Sequence, residues 1–211
     1  MNFKDDKGEW TGFDTEFALA VGEKLGVTVE FIEINWDNKF LELDSKSIDC
    51  IWNGMTITEE AKLNASVTNP YVENAQVVVM TADNASKYTT AESMADLSFA
   101  AEAGSAGEAT ITENNWANYT AVKAQSDALL EVASGSSDAC VIDITMANAM
   151  TGEGTSYENL TQALKLNTEQ YGIACRQDSD LTAKINEIMA ELMADGTLDA
   201  LAEKYELALV K

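Results

Sequence analysis

Histidine is absent from this 211-residue chain, and arginine and proline occur once each, as Arg176 and Pro70. Without histidine there can be no Ser-His-Asp triad, no His-ligated zinc and no histidine general base. Positive charge is scarce altogether: 13 Lys and Arg stand against 36 Asp and Glu, a formal net charge of −23. Such a chain repels phosphate backbones, which argues against a nucleic-acid partner, and anionic membrane surfaces are disfavoured for the same reason. Acidity itself selects no function and mainly secures solubility. Cysteine occurs only at Cys50, Cys140 and Cys175. An odd, widely spaced set is not a disulfide framework. Each lies in an apolar run, so all three read as buried, reduced, small hydrophobes. No apolar run approaches the ~20 residues of a spanning helix, and residues 1–8 lack the apolar stretch of a signal peptide. The chain as it stands reads as soluble, with a removed leader or lipid anchor left open.

What is present is a folding composition: 46% hydrophobic and 23% charged residues. The length suits one large domain or two small lobes. A helix is predicted over Asp14–Leu25, with Asp14 as its N-cap, an apolar stripe of Phe17, Ala18, Val21 and Leu25, and Gly26 as a left-handed C-cap. Alternation over 27–34 predicts a strand. A helix follows over 39–44, a buried strand over 48–52, a short helix opened by Thr58 and an apolar strand over 76–80. The second half repeats this plan. Strands are expected at 97–101, 121–124, 139–143 and 171–175, and helices after Gly104, over 127–134 and over 180–194, where Leu181, Ile185, Ile188 and Leu192 share a face. A last short helix runs to Tyr205. Strands alternating with helices mean an α/β fold with a mostly parallel sheet.

One internal echo supports two similar lobes. Leu43-Asp-Ser-Lys-Ser-Ile-Asp-Cys-Ile and Val132-Ala-Ser-Gly-Ser-Ser-Asp-Ala-Cys-Val both read as helix end, turn, Asp and buried strand, although turns of this kind are common. Two α/β lobes imply a cleft, and small ligands bind at the carboxyl ends of strands in such sheets.

Several segments, in order, resemble the extracytoplasmic solute-binding proteins of amino-acid ABC transporters (family 3, of the type II periplasmic-binding-protein kind). They are Phe3 to Asp14, Trp36-Asp, Ser47-Ile-Asp-Cys-Ile, Gly54-Met-Thr-Ile-Thr-Glu-Glu60, Thr68-Asn-Pro-Tyr71, Gly104-Ser-Ala-Gly-Glu108, Asp138 to Asp143, Tyr171-Gly-Ile-Ala and Ala194-Asp-Gly-Thr197. Each is weak alone; the ordered set covers nearly the whole chain. The resemblance implies two α/β lobes joined by two crossing strands that close like a hinge on a ligand. Lobe 1 would be residues 1–79 plus 170–211 and lobe 2 residues 80–169, with crossings near 77–80 and 169–171. The family's first strand, with its aromatic-bearing loop, has no counterpart before Phe3.

The resemblance also implies a site. Trp36 matches a position that stacks on the ligand; the alternative is a core tryptophan. Asn53, Gly54, Met55 and Thr56 match a loop offering backbone groups and a hydroxyl, or else form a plain strand-to-helix turn. Trp52, facing the other way, reads as core. Asp143 matches the carboxylate that holds the ligand's α-ammonium, or else caps a helix. Ser105 and Ala106, in the Gly104–Glu108 turn, face the ligand carboxylate at a helix start. Glu102 matches a further contact. Ala61 stands where the family has an arginine for the α-carboxylate; Lys62 is one step round the helix, and Arg176 falls in a turn. Glu102 and Asp143 in one cleft ask for a cation, unless Glu102 faces solvent and Lys62 bends in.

The expected function is therefore non-enzymatic binding of an amino acid or related cationic amine for delivery to an ABC transporter permease, by a monomer outside the cytoplasm: in the periplasm, or as a cell-surface lipoprotein. No cofactor or metal is expected. The alternatives are a ligand-sensing module of a signalling protein and a dehydratase-like enzyme on the same fold, in which Glu102 would be the general acid.

Overall fold

The computed structural model describes residues 1–4 and 7–211, so Asp5 and Asp6 of the first motif lie outside the described residues. The chain forms two compact units. The first comprises Met1–Ile34, Lys39–Glu73 and Gln170–Lys211; the second comprises Asn35–Asn38 and Asn74–Glu169.

The first unit opens with a small antiparallel pair, β1 (Phe3–Lys4) and β2 (Trp10–Thr11). Helix α1 (Phe13–Leu25) buries Phe13, Phe17 and Val21 and ends, as expected, on left-handed Gly26 (φ 70°). Its N-cap is Gly12 rather than Asp14, whose side chain turns into the core. Residues 27–34, expected as a strand, form no ladder, and Val27 and Ile32 are 58% and 51% exposed. Alternation shows which residues could share a face; a strand also needs a neighbour to accept its hydrogen bonds, and none of the described residues provides one.

Next come α2 (Lys39–Asp44), β3 (Cys50–Thr56), α3 (Glu59–Asn64), β4 (Ser66–Val67) and β5 (Val72–Asn74). Thr58 caps α3, its hydroxyl accepting the Ala61 N–H at 3.0 Å. The second unit then runs β6 (Gln76–Thr81), α4 (Ala82–Ala85), β7 (Phe99–Glu102), α5 (Ala106–Glu113), β8 (Tyr119–Val122), α6 (Gln125–Ser134), β9 (Ala139–Asp143), α7 (Ile144–Met150) and β10 (Leu160–Lys165). The chain returns to the first unit through β11 (Glu169–Cys175), α8 (Leu181–Ala194) and α9 (Thr197–Lys204).

The sheets are mixed, not mostly parallel. In the first unit β11 lies between β3 and β4, antiparallel to both. Phe13, Phe17, Tyr71, Tyr171, Ile185 and Leu192 share its core. In the second unit the order is β10-β6-β9-β7-β8, with β7 parallel to β8 and β9, and β6 antiparallel to β9 and β10. Both faces of β6 are buried: Val77 and Val79 pack against Leu129 and Ile142, while Val78 and Met80 pack against Phe99 and Ile111. A strand buried on both sides reads as an unbroken apolar run. The expected lobe boundary at 79/80 falls inside β6. The chain changes unit earlier, between Glu73 and Asn74, because β6 pairs with β9 from its first residue.

The echoed motif takes the same form in each unit. Helix α2 ends in a turn with left-handed Lys46, and α6 ends on left-handed Gly135, before β3 and β9 begin. The two aspartates have diverged: Asp49 pairs with Arg176, and Asp138 accepts the Ser98 N–H and hydroxyl.

Candidate functional site

Because β7 and β9 are parallel neighbours, their carboxyl ends lie on one edge of the second sheet. Glu102 ends β7 and Asp143 ends β9. The antiparallel strand β6 begins at that edge, with Gln76 opposite Asp143.

Asp143 is 9% exposed. It occupies the N-cap position of α7, yet its side chain makes no capping bond. Instead it accepts three side-chain amides. Asn74 Nδ2 and Gln76 Nε2 donate to Oδ1 at 3.1 and 2.5 Å, and Gln125 Nε2 donates to Oδ2 at 2.8 Å. Gln125 closes the loop by accepting the Asp143 N–H at 3.1 Å. The same Asn74 and Gln76 amides donate to Glu169 Oε1 at 2.6 and 2.8 Å, so they bridge two carboxylates. Their carbonyl oxygens are buried without a hydrogen-bond partner among the described residues. The orientation is forced, since turning either amide over would set oxygen against oxygen. A carboxylate offers about four acceptor positions; among the described residues these three amides fill three, leaving one open.

The Gly104 turn lies at the same edge. Ser105 caps α5 by accepting the Glu108 N–H at 3.2 Å, and Glu108 Oε2 accepts the Gly104 N–H at 2.7 Å. This reciprocal cap fixes the loop. Gly104 has φ 70°, and a Cβ there would lie 2.7 Å from the Asp37 Cα. Only glycine admits both the conformation and that close approach. The Trp36–Asn38 turn therefore sits against this loop through Asp37, and Trp36 is half-buried. The second unit thus collects Trp36, Glu102, Ser105, Ala106 and Asp143, the last with Asn74, Gln76, Gln125 and Glu169 around it.

The residues expected from the first unit are placed differently. Asn53 to Thr56 are not a loop but the carboxyl half of β3. Thr56 and Met55 pair with Tyr171 and Gly172, and the register shifts before Ile51 pairs with Ala174. Gly54, at φ 58°, gives its N–H to Asp14 Oδ2 at 2.7 Å, so that group is already taken. Met55 is 1% exposed and belongs to the core. Asn53 is exposed, its Oδ1 accepting the Asn2 N–H at 2.9 Å, and Thr56 is half-buried. Trp52 packs edge-on against Phe17 at 4.9 Å, as a core residue should. Ala61 is buried, and Lys62 pairs at 2.7 Å with Glu59 of its own helix. Arg176 holds the Ile48 carbonyl and Asp49, each at 2.6 Å.

Asp14 is the first unit's own buried carboxylate. Besides Gly54, it accepts the Tyr71 hydroxyl at 2.8 Å. Burial pushes its pKa above the ordinary value, and those two donors oppose the rise.

Sequence reasoning missed Asn74, Gln76, Gln125 and Glu169. Gln76 had a legible signal: a polar residue opening an apolar strand needs buried partners. Gln125 and Glu169 carried none, because their roles depend on the pairing of distant strands.

The model for bacterial extracellular solute-binding proteins, family 3, matches residues 1–208. The chain belongs to that family. It is similar to the L-cystine-binding protein TcyJ of Escherichia coli (strain K12), 28% identical over 219 residues and spanning 97% of this chain and 77% of that one. Among solved structures it matches a mutant of ArgBP from T. maritima with a TM-score of 0.90 and 32% identity, covering 97% of this chain and 89% of the other. It also matches an ancestral amino acid-binding protein, AncCDT-1, a precursor of cyclohexadienyl dehydratase, with a TM-score of 0.88 and 31% identity over 97% and 89%. The fold is that of the type II periplasmic binding proteins. Among the described residues no helix is long and apolar enough to cross a membrane.

Proposed function

We propose that this solute-binding protein takes an amino acid or related amine that carries positive charge, and delivers it to an ABC transporter permease. One observation carries the reading: the Asp143 carboxylate is buried, and its side-chain partners are three neutral amides with one acceptor position left over. Amide donors orient a carboxylate but do not cancel its charge, whereas an ammonium does both through a charge-assisted bond. Glu102 and Glu169 add to the acidity of the same edge, and the Trp36 ring suits a cation over its face. No arginine fork stands at Ala61, and Lys62 pairs with Glu59, so the ligand's α-carboxylate gains no clamp there. At an effective dielectric of about 20, two like charges about 4 Å apart repel by about 4 kcal/mol, roughly a thousandfold in affinity. Ser105 and Ala106, at the start of α5, are the proposed contacts for the ligand's carboxylate. Within the first unit, Asn53 and Thr56 are polar positions of β3, and Gly54 and Met55 shape that strand.

The protein acts as a monomeric binder held outside the cytoplasm, as a free periplasmic protein or a lipoprotein. Binding rather than catalysis is the reading because the amides around Asp143 fix it as an acceptor and supply no proton. Calorimetric titration with arginine, lysine, histidine, cystine and glutamate tests the proposal. A cationic or zwitterionic candidate should bind, and glutamate should bind least. Glutamate binding more tightly than every cationic candidate would refute it.

A further inference from the structure

The antiparallel pairing of β3 with β11, beyond its register shift, places two cysteines opposite each other that the sequence separates by 125 positions. Cys50 opens β3, Cys175 ends β11, and the two are a directly paired position of the antiparallel ladder. Their Sγ atoms lie 3.6 Å apart, and both thiols are free. Directly opposed residues of antiparallel strands have Cα separations of about 4.5–5.5 Å, inside the roughly 4.4–6.8 Å that a disulfide spans. We propose that Cys50 and Cys175 are a dithiol that closes to a disulfide on contact with small-molecule disulfides, clamping the β3–β11 pairing at the end remote from Thr56.

The two sulfurs have different roles. Cys50 is half-buried and is the point of entry; Cys175 is fully buried behind it. Cys50 first gives up its proton, against the neighbouring Cys175 sulfur and the burial that push its thiol up; its sulfur then attacks one sulfur of the incoming disulfide, forming a mixed disulfide and expelling one small thiolate. Cys175, as thiolate, then attacks the Cys50 sulfur. The Cys50–Cys175 bond forms, the mixed disulfide breaks, and a second small thiolate leaves. The two protons given up by the cysteines go to the two released thiolates, so one small disulfide is reduced as the dithiol is oxidised. The surroundings favour the second step. Before oxidation the Cys50 S–H, the Thr182 hydroxyl and the Arg176 guanidinium favour the Cys175 thiolate; once Cys50 is held in the mixed disulfide its S–H is gone, and the hydroxyl and the guanidinium remain beside Cys175. The third cysteine is a built-in control. Cys140 is fully buried in the second unit, where burial pushes its thiol well up. Proteins of this family are extracellular, where disulfides persist. The inference is independent of which solute is bound.

The test is to incubate the purified protein with oxidised glutathione, quench in acid, alkylate under denaturing conditions with a maleimide, and digest. The expected result is a single maleimide adduct, on Cys140, and a peptide pair joined through Cys50 and Cys175. The melting temperature should rise by several degrees and return on treatment with dithiothreitol, because a closed long loop restrains the unfolded chain. Cys175→Ser should leave glutathione trapped on Cys50. If that variant fails to fold, Cys50→Ser gives the complementary reading, with Cys175 unmodified. Three maleimide adducts, or glutathione retained on Cys50 of the unaltered protein beside an alkylated Cys175, would overturn the proposal.

Discussion

Each unit buries an aspartate, Asp14 in the first and Asp143 in the second, and the two do opposite things. Asp14 is wholly enclosed, and a backbone N–H and a tyrosine hydroxyl tie it to β3 and to Tyr71. It is an internal brace, and burial raises its pKa. Asp143 lies at a sheet edge, at the carboxyl end of a strand, held by amides that leave an acceptor position open. Burial of a carboxylate is thus no sign of function by itself. What distinguishes a site is whether the protein's own donors use up the acceptor, and whether the group stands where a sheet opens to ligands.

That contrast can be broken by mutation. Asp14→Ala strands the Gly54 N–H and the Tyr71 hydroxyl in the core, each worth about 1–3 kcal/mol. A loss of about 3–5 kcal/mol in denaturant unfolding is expected, with ligand affinity of the folded fraction nearly unchanged. A stability loss below about 1 kcal/mol would deny Asp14 its bracing role, on the same scale. Gly104→Ala probes the other unit. It forces a left-handed alanine and a Cβ 2.7 Å from the Asp37 Cα. The expected cost is about 1–3 kcal/mol from backbone strain and displacement of the 35–38 turn, read in stability and in ligand affinity together. Wild-type values in both would mean the turn is slack.

These two sites differ in how much of them the sequence disclosed. The placement of the second unit's candidate residues was legible: Asp143, Glu102 and the Gly104 turn lie in short motifs at strand ends, and the parallel pairing of β7 with β9 carries them to one edge. The bracing by Asp14 was not. An aspartate ahead of an apolar helix looks like an N-cap, and only the fold shows Gly54 and Tyr71 arriving beside it. The helices that were expected fall close to their observed bounds, because their caps and stripes are local; α4 and α7 were not expected. Residues 27–34 and Asn53–Thr56 were misassigned for the complementary reason. Whether an extended stretch becomes a ladder depends on a partner far away in the chain.

Acidity sharpens the comparison further. The folded-state pKa of Asp14 lies above its ordinary 3.8. Above that pH the folded protein binds more protons than the unfolded chain, so this group's contribution to stability falls as pH rises. Asp14→Asn should remove that part of the slope between acid and neutral pH, as read by unfolding at a series of pH values. An unchanged slope would show that burial does not govern this carboxyl. The smallest effect is expected at the surface. Glu16 is held below the usual carboxylate range, its burial outweighed by the bonds it accepts from Lys204 and Tyr205. The Lys204–Glu16 pair, at 2.6 Å, joins an exposed lysine to a half-buried glutamate. Lys204→Ala should cost less than about 1 kcal/mol, and less again in high salt. A larger loss, indifferent to salt, would mean that packing rather than charge holds α9 to α1.

The most direct measurement replaces only the charge of the proposed ligand anchor. Asp143→Asn keeps the size of the side chain and gives up its negative charge. For the tightest-binding cationic amino acid, calorimetric titration of this variant should show an affinity lower by about 2–5 kcal/mol, the range for a buried charge pair deprived of one partner. Under the same conditions Asp14→Asn should bind that ligand as the unaltered protein does. Equal affinity in Asp143→Asn and the unaltered protein would contradict the central claim that this carboxylate holds the ligand's positive charge.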